Sequence, residues 1–219
     1  MKVIEIFKNV YKVNGKLATR NLAVGRKVYD EELIQEGGKE YRLWNPYRSK
    51  LAAAILKGLR HMYIMPGSKV LYLGAATGTT CSHVSDIIGE SGALYCVEIS
   101  ERNMRQLLEL CDARHNMFPI LQDARLVEKY KDDVGTVDIL YQDVSSRDQL
   151  AIFNINSAQL KPGGIAYVVI KSQSISTAMK PEVIYRDFIN AVSKRFEVLE
   201  KINIMPYDRM HLFLVLRKK

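Results

Sequence analysis

Val70-Leu71-Tyr72-Leu73-Gly74-Ala75-Ala76-Thr77-Gly78-Thr79-Thr80 decides the fold. Val70 to Leu73 form a short apolar run, the pattern of a strand buried on both faces. Gly74 to Gly78 are all small, so a ligand can approach the backbone closely. Thr79 and Thr80 open a helical stretch whose free N–H groups attract polar or anionic groups. Strand, small-residue turn and helix together make a nucleotide-binding corner. The spacing is not G-x-G-x-x-G, and no Gly-Lys-Ser/Thr follows, so neither the dinucleotide fingerprint nor a P-loop is present. On its own such a turn is also an ordinary strand-to-helix junction.

Downstream, the pattern alternates helix and strand, as a parallel sheet requires. The first helix runs to about Ile88 and Ala93–Glu98 is the next strand. Glu98 ends it some two dozen residues beyond Gly74, where an acidic side chain accepts ribose hydroxyls. Ser100 caps a helix that reaches about His115, with Glu101 in its first turn. Phe118–Leu121 is a third strand with Asp123 just past its tip, and Val137–Gln142 a fourth, tipped by Asp143. A helix over Asp148–Leu160, a turn at Lys161–Gly164 and an apolar strand at Ile165–Ile170 follow, with Lys171 at the strand's tip. After a helix over Pro181–Arg195, Phe196–Ile204 and Met210–Arg217 read as an antiparallel hairpin. That hairpin brings His211 to the same rim. Ligands of open α/β sheets bind beyond the carboxyl ends of the strands. Gly74, Glu98, Asp123, Asp143 and Lys171 all fall there, and a lysine beside a carboxylate is a candidate for proton chemistry.

Upstream, residues 1–45 read as short strands joined by turns, a small antiparallel β subdomain ahead of a main domain at 46–219. Asn14-Gly15 is a strong hairpin signal, Lys27-Val28-Tyr29 starts a strand, and Gly37-Gly38 turns into another. Asn45-Pro46 caps a helix over Arg48–Arg60, which places Lys50 in its first turn, where the helix dipole does not favour a cation. The chain has 219 residues, a net charge of +8 and 47% hydrophobic residues, enough for one sizeable α/β domain with a small appendage. The basic balance suits a polyanionic partner. Cys81, Cys96 and Cys111 form no C-x-x-C pair, so neither a zinc site nor a disulfide framework is indicated, and a reducing, cytoplasmic setting is expected. No apolar run approaches the roughly 18 residues of a membrane span.

Arg42-Leu43-Trp44-Asn45-Pro46-Tyr47-Arg48-Ser49-Lys50-Leu51-Ala52, the Val70–Thr80 stretch, Ser82-His83-Val84-Ser85-Asp86 and Tyr141-Gln142-Asp143-Val144 together carry a resemblance. Across essentially the whole chain the sequence resembles archaeal fibrillarin, a family of box C/D RNA-guided 2′-O-methyltransferases. The G-x-x-x-G spacing at Gly74–Gly78 is the form such enzymes use. The resemblance implies an α/β fold, a mostly parallel seven-stranded Rossmann-like methyltransferase sheet with a C-terminal antiparallel hairpin, and S-adenosylmethionine along its rim. Thr79 and Thr80 would touch the cofactor's methionine end, Glu98 its ribose, and Asp123 with Ala124 its adenine. Asp143 would lie near the sulfonium, and Gly74, Ala75, Ile99, Val144, Ser145 and Ser146 would complete the contacts. A Lys-Asp-Lys-His catalytic set falls on Lys50, Asp143, Lys171 and His211. Thr77 stands where the family has serine, and Val144-Ser145-Ser146 where it has Val-Ala-Gln.

The activity implied is methyl transfer to ribose 2′-hydroxyls of rRNA and tRNA. Lys171 would orient or deprotonate the hydroxyl, Lys50 favouring proton release and Asp143 opposing it while holding the lysine in place, with His211 completing the set. The chain has no RNA-reading module of its own. The family supplies one through a guide RNA that pairs with the target RNA, a Nop-domain scaffold protein and a kink-turn-binding ribosomal-type protein. Two other readings remain open on the residues: a small-molecule or protein methyltransferase on the same sheet, and a non-catalytic subunit that binds the cofactor.

Overall fold

The computed structural model describes residues 2–219. Among them, β1 (Val3–Phe7), β2 (Val10–Val13), β3 (Lys16–Arg20), β4 (Leu33–Glu36) and β5 (Lys39–Leu43) form an antiparallel sheet in the order β1-β2-β3-β5-β4. Asn14 and Gly15 turn the β2–β3 hairpin with φ of 49° and 83°, the two positive values a type I′ turn needs. Lys27-Val28-Tyr29 is not a strand, contrary to expectation. The Glu31 carboxylate accepts the Val28 N–H at 3.0 Å and the Tyr29 N–H at 2.8 Å, so these amides serve a side chain and not a ladder. β4 takes the place instead, joined to β5 through Gly37-Gly38.

The remainder winds through α1 (Lys50–Leu56), β6 (Lys69–Leu73), α2 (Thr79–Ile88), β7 (Ala93–Glu98), α3 (Glu101–Asp112), β8 (Met117–Leu121), α4 (Lys131–Val134), β9 (Val137–Gln142), α5 (Gln149–Asn156), β10 (Leu160–Lys171), α6 (Ser172–Ile175), α7 (Pro181–Val192), β11 (Phe196–Asn203) and β12 (His211–Lys218). A seven-stranded sheet results, ordered β11-β12-β10-β9-β6-β7-β8. Its members pair in parallel except β12, which runs antiparallel to both β10 and β11. From β6 the chain winds out to β8 and then returns to β9 on the other side of β6. The strand order therefore reverses between β6 and β9, and a crevice opens beyond their carboxyl ends.

Alternation along the strands fills two buried layers. Tyr72 and Tyr141 stack at 4.4 Å and, with Tyr167 and Phe213, face α1, α2 and α3. Leu71, Leu73, Leu140 and Val168 face α4, α5 and α7, where Phe153, Phe188 and Phe196 pack. Several helices are shorter than their sequence patterns predict. The α1 cap is Ser49, whose hydroxyl accepts the Ala52 N–H at 3.4 Å, and not Asn45-Pro46. α1 stops before Gly58, whose φ of +97° no helix continues. α3, α5 and α7 end at Asp112, Asn156 and Val192. Conversely, β10 begins at Leu160 and runs through Lys161–Gly164, where a turn was expected. Its register against β9 breaks between Leu160 and Ile165, and this irregularity absorbs Pro162 and the glycines.

The antiparallel sheet is fastened to α2 by a buried polar network. Asp86 accepts from Thr19 Oγ1 at 2.6 Å, the Leu22 N–H at 3.0 Å, Arg42 Nε at 3.0 Å and Arg114 Nη1 at 2.6 Å. Arg42 also pairs with Glu31. His83, fully buried, lies 2.7 Å from both the Thr19 and Tyr29 hydroxyls and stacks on Trp44. Burial, with Arg42 and Arg114 adding to it, holds the His83 ring well below the ordinary histidine range. Burial pushes the Asp86 carboxyl up, but Arg42 and Arg114, with the hydrogen bonds from Thr19 and the Leu22 N–H, outweigh it and hold the carboxyl below the usual carboxylate range.

Candidate active site

A cavity of about 430 Å³ lies over the carboxyl ends of β6, β7, β8 and β9. Its floor is set by Gly74, which adopts φ +83°; a Cβ there would lie 2.9 Å from the Asp143 carbonyl oxygen. Only glycine lets the β6 and β9 tips approach this closely. Ala76, at φ 50°, turns its N–H onto Glu98 Oε2 at 2.8 Å. Glu98 Oε1 accepts from the Ser100 N–H at 2.8 Å and from Asn103 Nδ2 at 3.3 Å. An ionised carboxylate has about four acceptor positions, so Glu98 is fixed in place and still able to accept a ligand hydroxyl. Asp123 is engaged differently. Arg125 donates to its two carboxylate oxygens, from Nη2 at 2.6 Å and Nε at 2.9 and 3.1 Å, and this pairing holds the Asp123 carboxyl below the usual range.

At the far wall stand the lysines. Lys171 Nζ donates to the Asp143 carbonyl at 2.7 Å and to Ser145 Oγ at 3.0 Å, and lies 2.8 Å from Asp143 Oδ1. Two hydrogen bonds fix the ammonium group of Lys171 in place, and its third donor, close to Asp143 Oδ1 but not aligned with it, stays available. Lys50, the first residue of α1, lies 3.4 Å from Asp143 Oδ2 and 3.7 Å from Asp208 Oδ2. Asp208 Oδ1 in turn lies 2.7 Å from His211 Nδ1. His211 sits opposite Lys171 in the β10–β12 ladder. Burial pushes the His211 ring below the ordinary histidine range; Asp208 opposes this, and Lys50 and Lys171 reinforce it. A second cavity of about 330 Å³ adjoins the first. Lys50, Ser145 and Lys171 line both, and His211, Arg209, Met210, Gln173 and Ser174 line only the second.

Of the residues expected at this site, Gly74, Glu98, Ile99, Asp123, Ala124, Asp143, Val144, Ser145 and Ser146 line the larger cavity together with Lys50 and Lys171. Ala75, Thr79 and Thr80 do not. Ala75 is buried with its N–H on the Val97 carbonyl at 3.1 Å, and Thr80 Oγ1 donates to the α1 cap Ser49 at 3.0 Å. Ala76, Asn103, Gln122, Arg125 and Asp208 went unread. Asn103, three residues past the capping Ser100, carried a positional signal. Asp208 stands three residues before His211, but only the loop's conformation turns the two together.

The fibrillarin family model matches residues 1–219. A fibrillarin-like rRNA/tRNA 2′-O-methyltransferase of Pyrococcus furiosus is 45% identical over 204 residues, 93% of this chain and 90% of its own length. One from Methanopyrus kandleri is 48% identical over 202 residues, 91% of this chain and 87% of its own. The fold superposes on Methanococcus jannaschii fibrillarin, a pre-rRNA processing protein, with a TM-score of 0.95 at 41% identity, covering 99% of this chain and 97% of that one. Aeropyrum pernix fibrillarin, solved with natively bound S-adenosyl-L-methionine, gives 0.89 at 41% identity with 99% of both chains covered. The fibrillarin of a fibrillarin/Nop5p complex gives 0.90 at 36% identity, covering 99% of this chain and 100% of that one. Shared sequence over nearly the full length, on a shared fold, makes this chain a member of the fibrillarin family.

Proposed function

We propose that the chain is the catalytic subunit of a box C/D ribonucleoprotein that transfers methyl groups from S-adenosylmethionine to ribose 2′-hydroxyls of rRNA and tRNA. One observation carries the reading. Glu98 and Asp143 line one cavity, and the lysines that wall it open on a second cavity that holds His211. That is one compartment for a donor and one for an acceptor. The larger cavity fits the cofactor: its floor has no side chain at Gly74, Glu98 keeps an acceptor position free, and buried Asp143 Oδ1 carries no aligned hydrogen bond.

Bound there, S-adenosylmethionine would supply an electrophilic methyl group. The protein's part is alignment and charge. Glu98 and Asp123 present carboxylates to hydroxyl and amino groups, and Asp143 offers a negative charge to a sulfonium. Lys171, held by the Asp143 carbonyl and Ser145 Oγ, fixes with its remaining donor where a hydroxyl oxygen comes to rest; alignment of this kind supplies several kcal/mol. The net charge of +8 draws RNA phosphates to the surface. Sequence choice would come from a guide RNA held by a Nop-domain scaffold and a kink-turn-binding ribosomal-type protein. In this reading residues 1–45 are a subdomain set on a methyltransferase domain at 46–219, and three unpaired cysteines suit a cytoplasmic setting. No helix among the described residues is long and apolar enough to cross a membrane.

The test is transfer of label from the cofactor to a target RNA, with and without guide RNA, scaffold and kink-turn protein. The isolated chain should methylate RNA poorly and the assembled complex at the guided position. Lys171→Ala should abolish transfer while calorimetry shows cofactor binding nearly unchanged. Site-selective methylation without any guide, or normal turnover by the variant, would refute the reading.

A further inference from the structure

Five groups form an unbroken chain of charge and proximity across the second cavity. His211 meets Asp208 at 2.7 Å, Asp208 meets Lys50 at 3.7 Å, Lys50 meets Asp143 at 3.4 Å, and Asp143 meets Lys171 at 2.8 Å. Ladder pairing of Lys171 with His211 closes the circuit. Two lysines and two aspartates balance, so the group is neutral when the ring of His211 is neutral. Asp208 is the one member that lines neither cavity.

A carboxylate oxygen 2.7 Å from a bare ring nitrogen would set two lone pairs against each other. Nδ1 therefore carries the hydrogen, although its approach to Asp208 falls short of straight hydrogen-bond alignment. Nε2 is then the lone-pair nitrogen, and it has no partner among the described residues. Lys171 is engaged as a donor, to the Asp143 carbonyl and to Ser145 Oγ, with one donor left for an incoming oxygen. We propose that Asp208 is a positioning residue: it keeps the hydrogen of His211 on Nδ1, so that Nε2 accepts the proton of the attacking hydroxyl while Lys171 holds the oxygen. The proton passes from the hydroxyl oxygen to Nε2, and the positive charge formed on the ring lies against the Asp208 carboxylate. The inference rests on the ribose-methylation reading for its substrate. The charged groups around His211 are Asp208 and Arg209 on its own loop, Lys50 at the start of α1, Lys171 on β10 and, behind the lysines, Asp143.

The experiment compares the full-length chain with Asp208→Asn and Asp208→Glu. In ¹⁵N-histidine spectra, His211 is identified among the four histidines by the signal lost in His211→Gln. Wild-type His211 should show the neutral Nδ1–H tautomer. Asp208→Asn should mix the tautomers and move the His211 titration to lower pH, because the opposing carboxylate is gone. In the assembled complex, Asp208→Asn should slow single-turnover methylation roughly tenfold or more and move the acid limb of its pH profile to lower pH, with cofactor binding unchanged. Asp208→Glu should restore most of the rate and the wild-type tautomer. Identical spectra for wild type and Asp208→Asn, an unchanged rate, or equal loss in both variants would each overturn the proposal. The spectra need neither cofactor nor RNA. They decide the Asp208–His211 pairing even where the wild-type complex fails to methylate RNA, the result that would sink the ribose reading itself.

Discussion

Gly74 shows how much one absent side chain does. Its φ of +83° and the 2.9 Å gap between an added Cβ and the Asp143 carbonyl fix two strand tips against each other. Gly74→Ala should cost about 1–3 kcal/mol and displace Asp143, weakening cofactor binding more than overall stability. A urea titration beside calorimetry with S-adenosylmethionine checks both effects, and full binding in a destabilised variant would refute the coupling. Residues placed by a strand tip were legible in the sequence: Glu98, Asp143 and Lys171 each end an apolar run and each line the cavity. Asp208 and Arg125 were not. They act through loop conformation, and a loop has no period that predicts where its side chains meet. Thr80 is a related case. Its position at the α2 N-terminus was readable, but the hydroxyl of Ser49, brought in by another helix, was not.

Among the elements, α1 links the two halves of the site. Ser49 both caps it and accepts from Thr80 on α2, and the helix's first residue is Lys50. Ser49→Ala removes both bonds and should destabilise the protein by about 1 kcal/mol. Because the start of α1 then frays, Lys50 loses its fixed place, and methylation should fall by more than the loss of folded protein explains. A chemical melt paired with single-turnover rates separates the two effects. β6, β7 and β9 could be read almost to the residue, because buried parallel strands are continuous apolar runs bounded by turns. β10 could not: Pro162, Gly163 and Gly164 spell a turn locally, and only the pairing of Leu160 and Ile165 with β9 on either side of them carries the strand past. Lys27–Tyr29 failed in the opposite sense, its amides captured by Glu31.

At the scale of the molecule, the buried network around Asp86 makes the antiparallel sheet and the larger sheet's α2 one piece. That network carries a signature in pH. His83 is held neutral in the folded chain, whereas the unfolded chain takes up its proton near the ordinary value of about 6.5. Its contribution to stability is therefore complete above that value and is lost as pH falls towards the folded-state value, at up to about 1.4 kcal/mol per pH unit. His211 shifts in the same direction. Asp86 acts lower, losing its contribution as pH drops below the normal aspartate range. Denaturant midpoints measured from pH 7 downward should fall with this slope, and His83→Gln should flatten it. An unchanged slope in that variant would show that the ring is protonated when folded. The network was invisible in the sequence because Thr19, Arg42, Asp86 and Arg114 belong to four separate segments that nothing in local pattern joins. The ladder between β10 and β12 has a wider consequence. Lys171 and His211 are brothers by strand pairing and strangers by connectivity. Two fragments cut between them, or a circularly permuted chain with new ends there, should bring the same two side chains together wherever β12 pairs with β10 again.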